Sequence, residues 1–282
     1  MNDVRVYSSE PVITRPRVLL KELWRDLFNS RSLAWRLAVR DIQATYRQSF
    51  LGILWAFIIP LANALVWILL RGTGIVSVRE TDIPYPAFVF SGAMLWAIFT
   101  ESLMLPLQKT LLAKSLITKI NFQREALILS GIFQAGFNAG IKAMLILLGA
   151  VALGAFSLEW TTLLFPLGIV SLVLTGTSIG LLLTPIGVLY TDIGRGLSIA
   201  MQFAMYVAPV VFPIPKEGWI SVAISYNPLT PLIMTTRDWL TGNPADFVNG
   251  YLWVNLIVLV ILFVGLILYK TAMPFLIERM NS

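Results

Sequence analysis

QSFLGILWAFIIPLANALVWILL, residues 48–70, carries no charged side chain and is bounded by Arg47 and Arg71. An α-helix rises about 1.5 Å per residue, so roughly 20 apolar residues cross the hydrocarbon core of a bilayer. The 23 residues between the two arginines suffice for one crossing, and a first spanning helix is expected at about 50–70, with Pro60 near its middle. Similar uncharged runs recur, giving further spans at about 84–107, 126–155, 161–190, 196–211 and 247–269. Glu101 falls near the end of the second span and Lys142 inside the third, while TDIGR, residues 191–195, is expected to be the turn that reverses the chain between the fourth and fifth. The fold class is all-α. A polytopic membrane domain of six transmembrane helices occupies 50–282, behind a polar cytoplasmic segment, 1–49.

Composition agrees with this reading. The chain is 57% hydrophobic and 13% charged, with mean hydropathy +0.79, and its charges fall in short clusters between the apolar runs. Cytoplasmic loops of membrane proteins collect Lys and Arg. Sixteen basic residues fall in the N-terminal segment, the loop after span two, the 191–195 turn and the C-terminal tail, against four on the other side: Arg71, Arg79, Lys216 and Arg237. Both termini are therefore expected in the cytoplasm. No apolar stretch with a small-residue cleavage site precedes the first span, so no cleaved signal peptide is expected. The net charge of +6 is read as topology and contact with membrane lipids, not nucleic-acid binding. The chain has no cysteine and no histidine. That excludes disulfides, thiolate and imidazole chemistry, and the usual transition-metal sites, so no metal site is expected.

Two stretches do not span. Residues 22–46 interleave basic residues with Leu23, Trp24, Leu27, Phe28, Leu33, Trp35, Leu37 and Ile42, a pattern of amphipathic helix lying in the inner interface. Residues 212–246 hold an apolar run, Gly218 to Thr236, broken by Pro228 and Pro231. Broken apolar backbone at membrane depth needs protein or a watery cavity beside it, so a re-entrant or interfacial helical hairpin is expected on the outer side, between spans five and six.

The chain has no G-x-x-x-x-G-K-[ST] phosphate loop, and no acidic pair in a loop that would hold a nucleotide-sugar metal. A pump built on it needs a separate ATPase, and the chain itself is not expected to be an enzyme. Ser130, Gln134, Asn138 and Lys142 recur at every fourth position of the third span. They form a polar stripe that either faces a solvated path or another subunit, or bonds helices together while Lys142 reaches for the outer interface. Arg195, Ser198, Gln202 and Tyr206 repeat the pattern on the fifth span. Gly136 with Gly140, and Gly176 with Gly180, allow close helix approach. Lys109, Lys114, Lys119 and Arg124 punctuate the loop after span two and read either as the positive-inside signal or as a surface for a cytoplasmic partner.

RDIQATYRQSFLGILWAFIIPLANAL, residues 40–65, resembles the opening of the ABC-2 type polysaccharide and polyol-phosphate exporter permeases, a basic stretch followed by Leu-Gly-x-x-Trp where the first helix begins. YPAFVFSGAMLWAIF (85–99), NFQREALILSGIF (121–133), YTDIGRGL (190–197) and NPLTPLIMTTRDWLTG (227–242) stand in the same order as in that family. The resemblance covers about Trp35 to the C-terminus. The chain departs from the family at Phe122, Gln123 and Arg124, where members often read Phe-Pro-Arg, and at Thr191, where arginine is common. The N-terminal segment is most similar to the O-antigen branch, beside the capsule and teichoic acid export permeases.

The resemblance implies a homodimeric permease in the bacterial inner membrane, moving an undecaprenyl-linked polysaccharide along a central path. It implies two copies of a cytoplasmic ABC ATPase, which would bind ATP and Mg while this chain binds no cofactor. On this reading Trp55, Trp96, Phe99, Ser198, Gln202, Phe203 and Tyr206 are candidates for the path, where aromatic faces stack on sugars. Lys109, Lys114, Lys119 and Arg124 are candidates for ATPase coupling. Trp219, Tyr226, Asn227 and Pro228, on the outer hairpin, are candidates for a gate. Teichoic acid, capsule, and a small lipophilic drug or lipid stand as other cargoes, and a membrane enzyme of lipid-linked sugar metabolism as a reading from another class.

Overall fold

The computed structural model describes residues 16–47, 50–76, 79–113 and 124–281, and these residues form helices and connecting turns with no strand among them. The α-helices in chain order are α1 Pro16–Arg47, α2 Trp55–Gly72, α3 Tyr85–Leu112, α4 Glu125–Ala152, α5 Phe165–Leu189, α6 Thr191–Ala204, α7 Trp219–Tyr226, α8 Leu229–Thr241 and α9 Val248–Asn281. Among the described residues, four helical stretches are long and apolar enough to cross a membrane: Tyr85–Leu112, Glu125–Ala152, Trp160–Leu189 and Val248–Met273. The chain is built as a membrane protein. The apolar part of α2, Phe57–Gly72, is shorter, and α6 has 14 residues.

Helices α3 and α5 form the centre. In its most apolar window α3 is 78% buried, against 17% for α9, so α9 turns most of its Leu, Ile, Val and Phe side chains outward, as a lipid-facing helix does. Small residues set the contact between α3 and α5. A Cβ on Gly176 would lie 2.5 Å from the Phe99 carbonyl oxygen, and one on Gly180 would lie 2.3 Å from that of Leu103, so only glycine lets these backbones meet. The hydroxyls of Ser171, Thr175, Ser178 and Thr184 donate to the carbonyls of Leu167, Ser171, Leu174 and Gly180. Donating one turn back satisfies each hydroxyl inside its own helix. Gly136 and Gly140 on α4 meet nothing within 4 Å. Of the two glycine pairs, only that on α5 makes a close helix contact among the described residues.

Helix α1 is amphipathic on a large scale. Leu23, Ser30, Ala34, Leu37 and Ala38 are buried, whereas Trp24, Phe28 and Trp35 are exposed. Two ion pairs tie its inner face down: Lys270 on α9 donates to Asp26 at 2.9 Å, and Lys109 on α3 donates to Asp41 at 2.5 Å. Trp35 meets Phe133 of α4 edge to face.

Several boundaries differ from those expected. Residues 191–195 are the first residues of α6 and not a turn. The two helices are separated at Tyr190, whose backbone is extended at φ −122°, ψ 107°, and Asp192 then sits in the first helical turn, where the helix dipole favours it. The second expected span ends at 107, but α3 continues to Leu112, which moves Glu101 to mid-helix. The last helix runs past 269 to Asn281. Its continuation brings Lys270 to Asp26. Residues 212–246 contain two short helices, α7 and α8, joined at Asn227 and Pro228.

Candidate functional site: a polar and aromatic cavity

A cavity of about 1020 Å³ opens between α2, α3, α4 and α6. One wall is aromatic and apolar, with Trp55 and Trp67 on α2, Trp96 on α3, and Tyr206 beyond the end of α6. Polar groups share the lining, with Thr100, Glu101 and Gln108 on α3, Gln134, Asn138 and Lys142 on α4, and Ser198 and Gln202 on α6. Trp67 packs edge to face on both Tyr206 and Phe212, at 5.8 and 5.1 Å between ring centres, joining α2 to the stretch after α6.

The polar wall has a charged centre. Lys142 Nζ donates to Glu101 Oε2 at 2.5 Å, and the Asn138 amide donates to Glu101 Oε1. The ammonium is buried, while the Glu101 side chain keeps 32% of its surface exposed. Neutralisation by a partner is what permits ionised groups at such depth. Lys142 is therefore paired across to α3, not turned to the outer interface. Gln134, one turn from Asn138, lines the same cavity, and its Oε1 is enclosed without a hydrogen-bond partner.

Five of the path candidates, Trp55, Trp96, Ser198, Gln202 and Tyr206, line this cavity together with three members of the α4 stripe. The structure places the other candidates elsewhere. Phe99 is buried in the core beside Trp96, Phe203 points outward with 68% exposure, and Ser130 is buried with its hydroxyl donating to the Leu127 carbonyl. Glu101, Trp67, Asn63 and Gln108 line the cavity without having been singled out. Glu101 had a visible signal, being the one carboxylate opposite in sign to Lys142 within the expected spans.

The segment of α7 and α8 is fastened to the stretch that follows α6. Asn227 donates from Nδ2 to the Val207 carbonyl at 2.8 Å and accepts the Leu229 N–H at Oδ1. Pro228 caps α8, and Trp219 and Tyr226 are exposed. Arg237 is buried, with 2% exposure. Its guanidinium donates to the Phe88 and Pro209 carbonyls and the Ser91 hydroxyl. Gly92 makes room for this clamp, because a Cβ there would stand 2.3 Å from the Val210 carbonyl oxygen and 2.6 Å from Arg237 Nη2. Burial lowers the Arg237 pKa to about 10, against the pull of Asp238. Burial likewise pushes Asp238 up to about 7, Arg237 opposing and Asp82 and Asp246 adding to the rise.

Of the coupling candidates, Lys109 is buried with its ammonium on Asp41, and Arg124 stands just before α4. Lys114 and Lys119 lie outside the described residues.

An all-helical membrane subunit whose helices enclose a polar and aromatic cavity is the class this fold defines. The chain belongs to the ABC-2 type transporter family, whose model matches residues 32–241. It is 30% identical over 216 residues to the O-antigen export system permease protein RfbA of Myxococcus xanthus, covering 75% of this chain and 81% of that protein. A Klebsiella pneumoniae protein of the same name is 26% identical over 220 residues, 76% of this chain and 79% of its own length. The polysialic acid transport protein KpsM of Escherichia coli is 23% identical over 257 residues, 83% of this chain and 91% of that one.

Proposed function

We propose that this chain is the permease subunit of an ATP-driven exporter that moves an undecaprenyl-linked polysaccharide, of O-antigen type, across the bacterial inner membrane. The observation that carries the reading is the cavity, whose lining combines the aromatic rings of Trp55, Trp67 and Trp96 with hydrogen-bonding groups from α3, α4 and α6. Sugars offer both kinds of surface, apolar C–H faces and hydroxyl edges. A polymer that must slide is better served by a distributed lining of this kind than by one tight pocket, which would hold it in place. The names of the relatives support the same cargo class.

In this account α2 and α6, with the turns that follow, cross the membrane beside the four long helices. That makes six spans, with both termini in the cytoplasm and the α7–α8 hairpin on the outer side, re-entrant and acting as a gate through Trp219, Tyr226, Asn227 and Pro228. Two copies of the chain enclose the path. Two copies of an ABC ATPase bind ATP and Mg on the cytoplasmic side and push on the 108–125 loop and α1. Lys109 transmits that push through Asp41 to α1, and Lys114, Lys119 and Arg124 provide the outer part of the contact.

The test is co-purification with the ATPase encoded beside this chain, followed by ATP hydrolysis with and without an undecaprenyl-linked glycan. A two-plus-two complex stimulated by the glycan is expected. Stimulation by small lipophilic compounds alone, or sugar chemistry performed by the isolated chain, would replace this reading.

A further inference from the structure

We propose that the cavity selects an uncharged, hydroxyl-bearing stretch of polymer, held at mid-depth by Glu101, Asn138, Lys142 and Gln134; this rests on reading the cavity as a glycan path. Glu101 lies in the interior of α3 and Lys142 in the interior of α4, so on the proposed six-span topology their pair stands within the membrane. Among the described lining residues these two are the only carboxylate and ammonium, and they neutralise one another at 2.5 Å. The wall therefore carries dipoles and no net charge, and a second copy of the chain would add a wall of the same kind.

This neutrality decides which polymer fits. A sugar hydroxyl both donates and accepts. The Lys142 ammonium has three N–H groups, of which one is directed at Glu101, and the partly exposed Glu101 carboxylate has lone pairs left to accept a hydroxyl. The enclosed Gln134 Oε1 is an acceptor without a donor, a demand that a hydroxyl meets once the amide rotates toward the cavity. An anionic repeat unit would instead reach the middle of the membrane with its charge uncompensated, since the cation there is already engaged, and burial of an unpaired charge is costly.

The experiment uses the complex of this chain with its ATPase in lipid nanodiscs, titrated with maltoheptaose and with an oligogalacturonate of the same length while tryptophan emission is followed. Wild type is expected to respond saturably to maltoheptaose and about ten-fold more weakly to the anionic oligomer. Glu101→Gln leaves Lys142 unpaired and should shift preference toward the anion. The double variant Glu101→Gln with Lys142→Gln keeps the wall neutral and should retain the wild-type preference, which guards against a single variant that fails to fold. Equal responses to both oligomers in wild type, or a double variant that prefers the anion, would overturn the proposal while leaving polysaccharide export standing. If neither oligomer produces a saturable response in wild type, the glycan path falls, and this inference falls with it.

Discussion

The Arg237 guanidinium lies 3.8 Å from the centre of the Phe88 ring, in a position from which it also reaches the Phe88 and Pro209 carbonyls. One cation thus joins α8, the N-terminal part of α3, and the segment that follows α6. A buried charge with several acceptors is worth more than a neutral side chain, because removing it strands carbonyls that water cannot reach. Arg237→Met should destabilise the chain by about 2–4 kcal/mol. Arg237→Lys should recover part of this, since an ammonium cannot span the same fork of acceptors. Thermal unfolding in detergent measures both, and amide exchange in 207–211 should rise in step.

The two glycine pairs give opposite expectations. Gly180→Ala would press a methyl group onto the Leu103 carbonyl and should cost about 1–3 kcal/mol by forcing α3 and α5 apart. Gly136→Ala and Gly140→Ala enter open space on α4 and should leave the monomer's unfolding midpoint unchanged or slightly raised. A loss of complex formation in the α4 variants with the fold intact would mark that face as a contact between subunits.

Asp238 gives α8 a pH dependence. Its folded pKa of about 7 lies above the ordinary carboxylate value of 3.8, so the folded state favours the protonated form. The stability this contributes is fully present below about pH 4 and is lost as pH rises through about 7. Arg237 counteracts the loss, and Asp82 and Asp246 deepen it. The protection of α8 amides, with the base-catalysed rise of intrinsic exchange divided out, should therefore fall between about pH 4 and pH 7, and Asp238→Asn should flatten that slope.

The Asp41 and Lys109 pair tests whether α1 and α3 move as one body. Asp41→Asn leaves Lys109 buried without its carboxylate, and it should uncouple glycan from ATP hydrolysis while the complex still assembles. Reciprocal replacement, Asp41→Lys with Lys109→Asp, should restore part of the coupling. Glycan-stimulated hydrolysis set against basal hydrolysis reads this directly.

The long helices were legible because charge marks where an apolar run must stop. That same marking misled at the ends, since α3 continues through Gln108 and Lys109 to Leu112 and so carries Glu101 to mid-helix. The α4 stripe was legible only over part of its length. Each step of four residues turns about 40° around a helix, so Ser130 has rotated about 120° away from Lys142, enough to turn it into the core. Phe203 stands five residues from Ser198, about 140° around the helix, and so off the face that lines the cavity. Partners across helices were not legible: the sequence shows Lys142 and Glu101 as charges in apolar runs, and only packing of α3 on α4 brings them to 2.5 Å. Arg237 reads in sequence as an outer-loop cation, whereas the fold of α8 against α3 makes it a buried clamp.

A cavity that conducts a sugar polymer must touch that polymer during export. A cysteine at Gln202, on the cavity wall of a chain that has no native cysteine, can be crosslinked, by addition of its thiol to a maleimide, to an undecaprenyl-linked glycan that carries that group, in the ATPase complex while it turns over. Crosslinking that depends on ATP, and that is absent from a cysteine placed at the outward-facing Phe203, is the result this account predicts. Equal labelling at both positions, or labelling at neither while export proceeds, would contradict it.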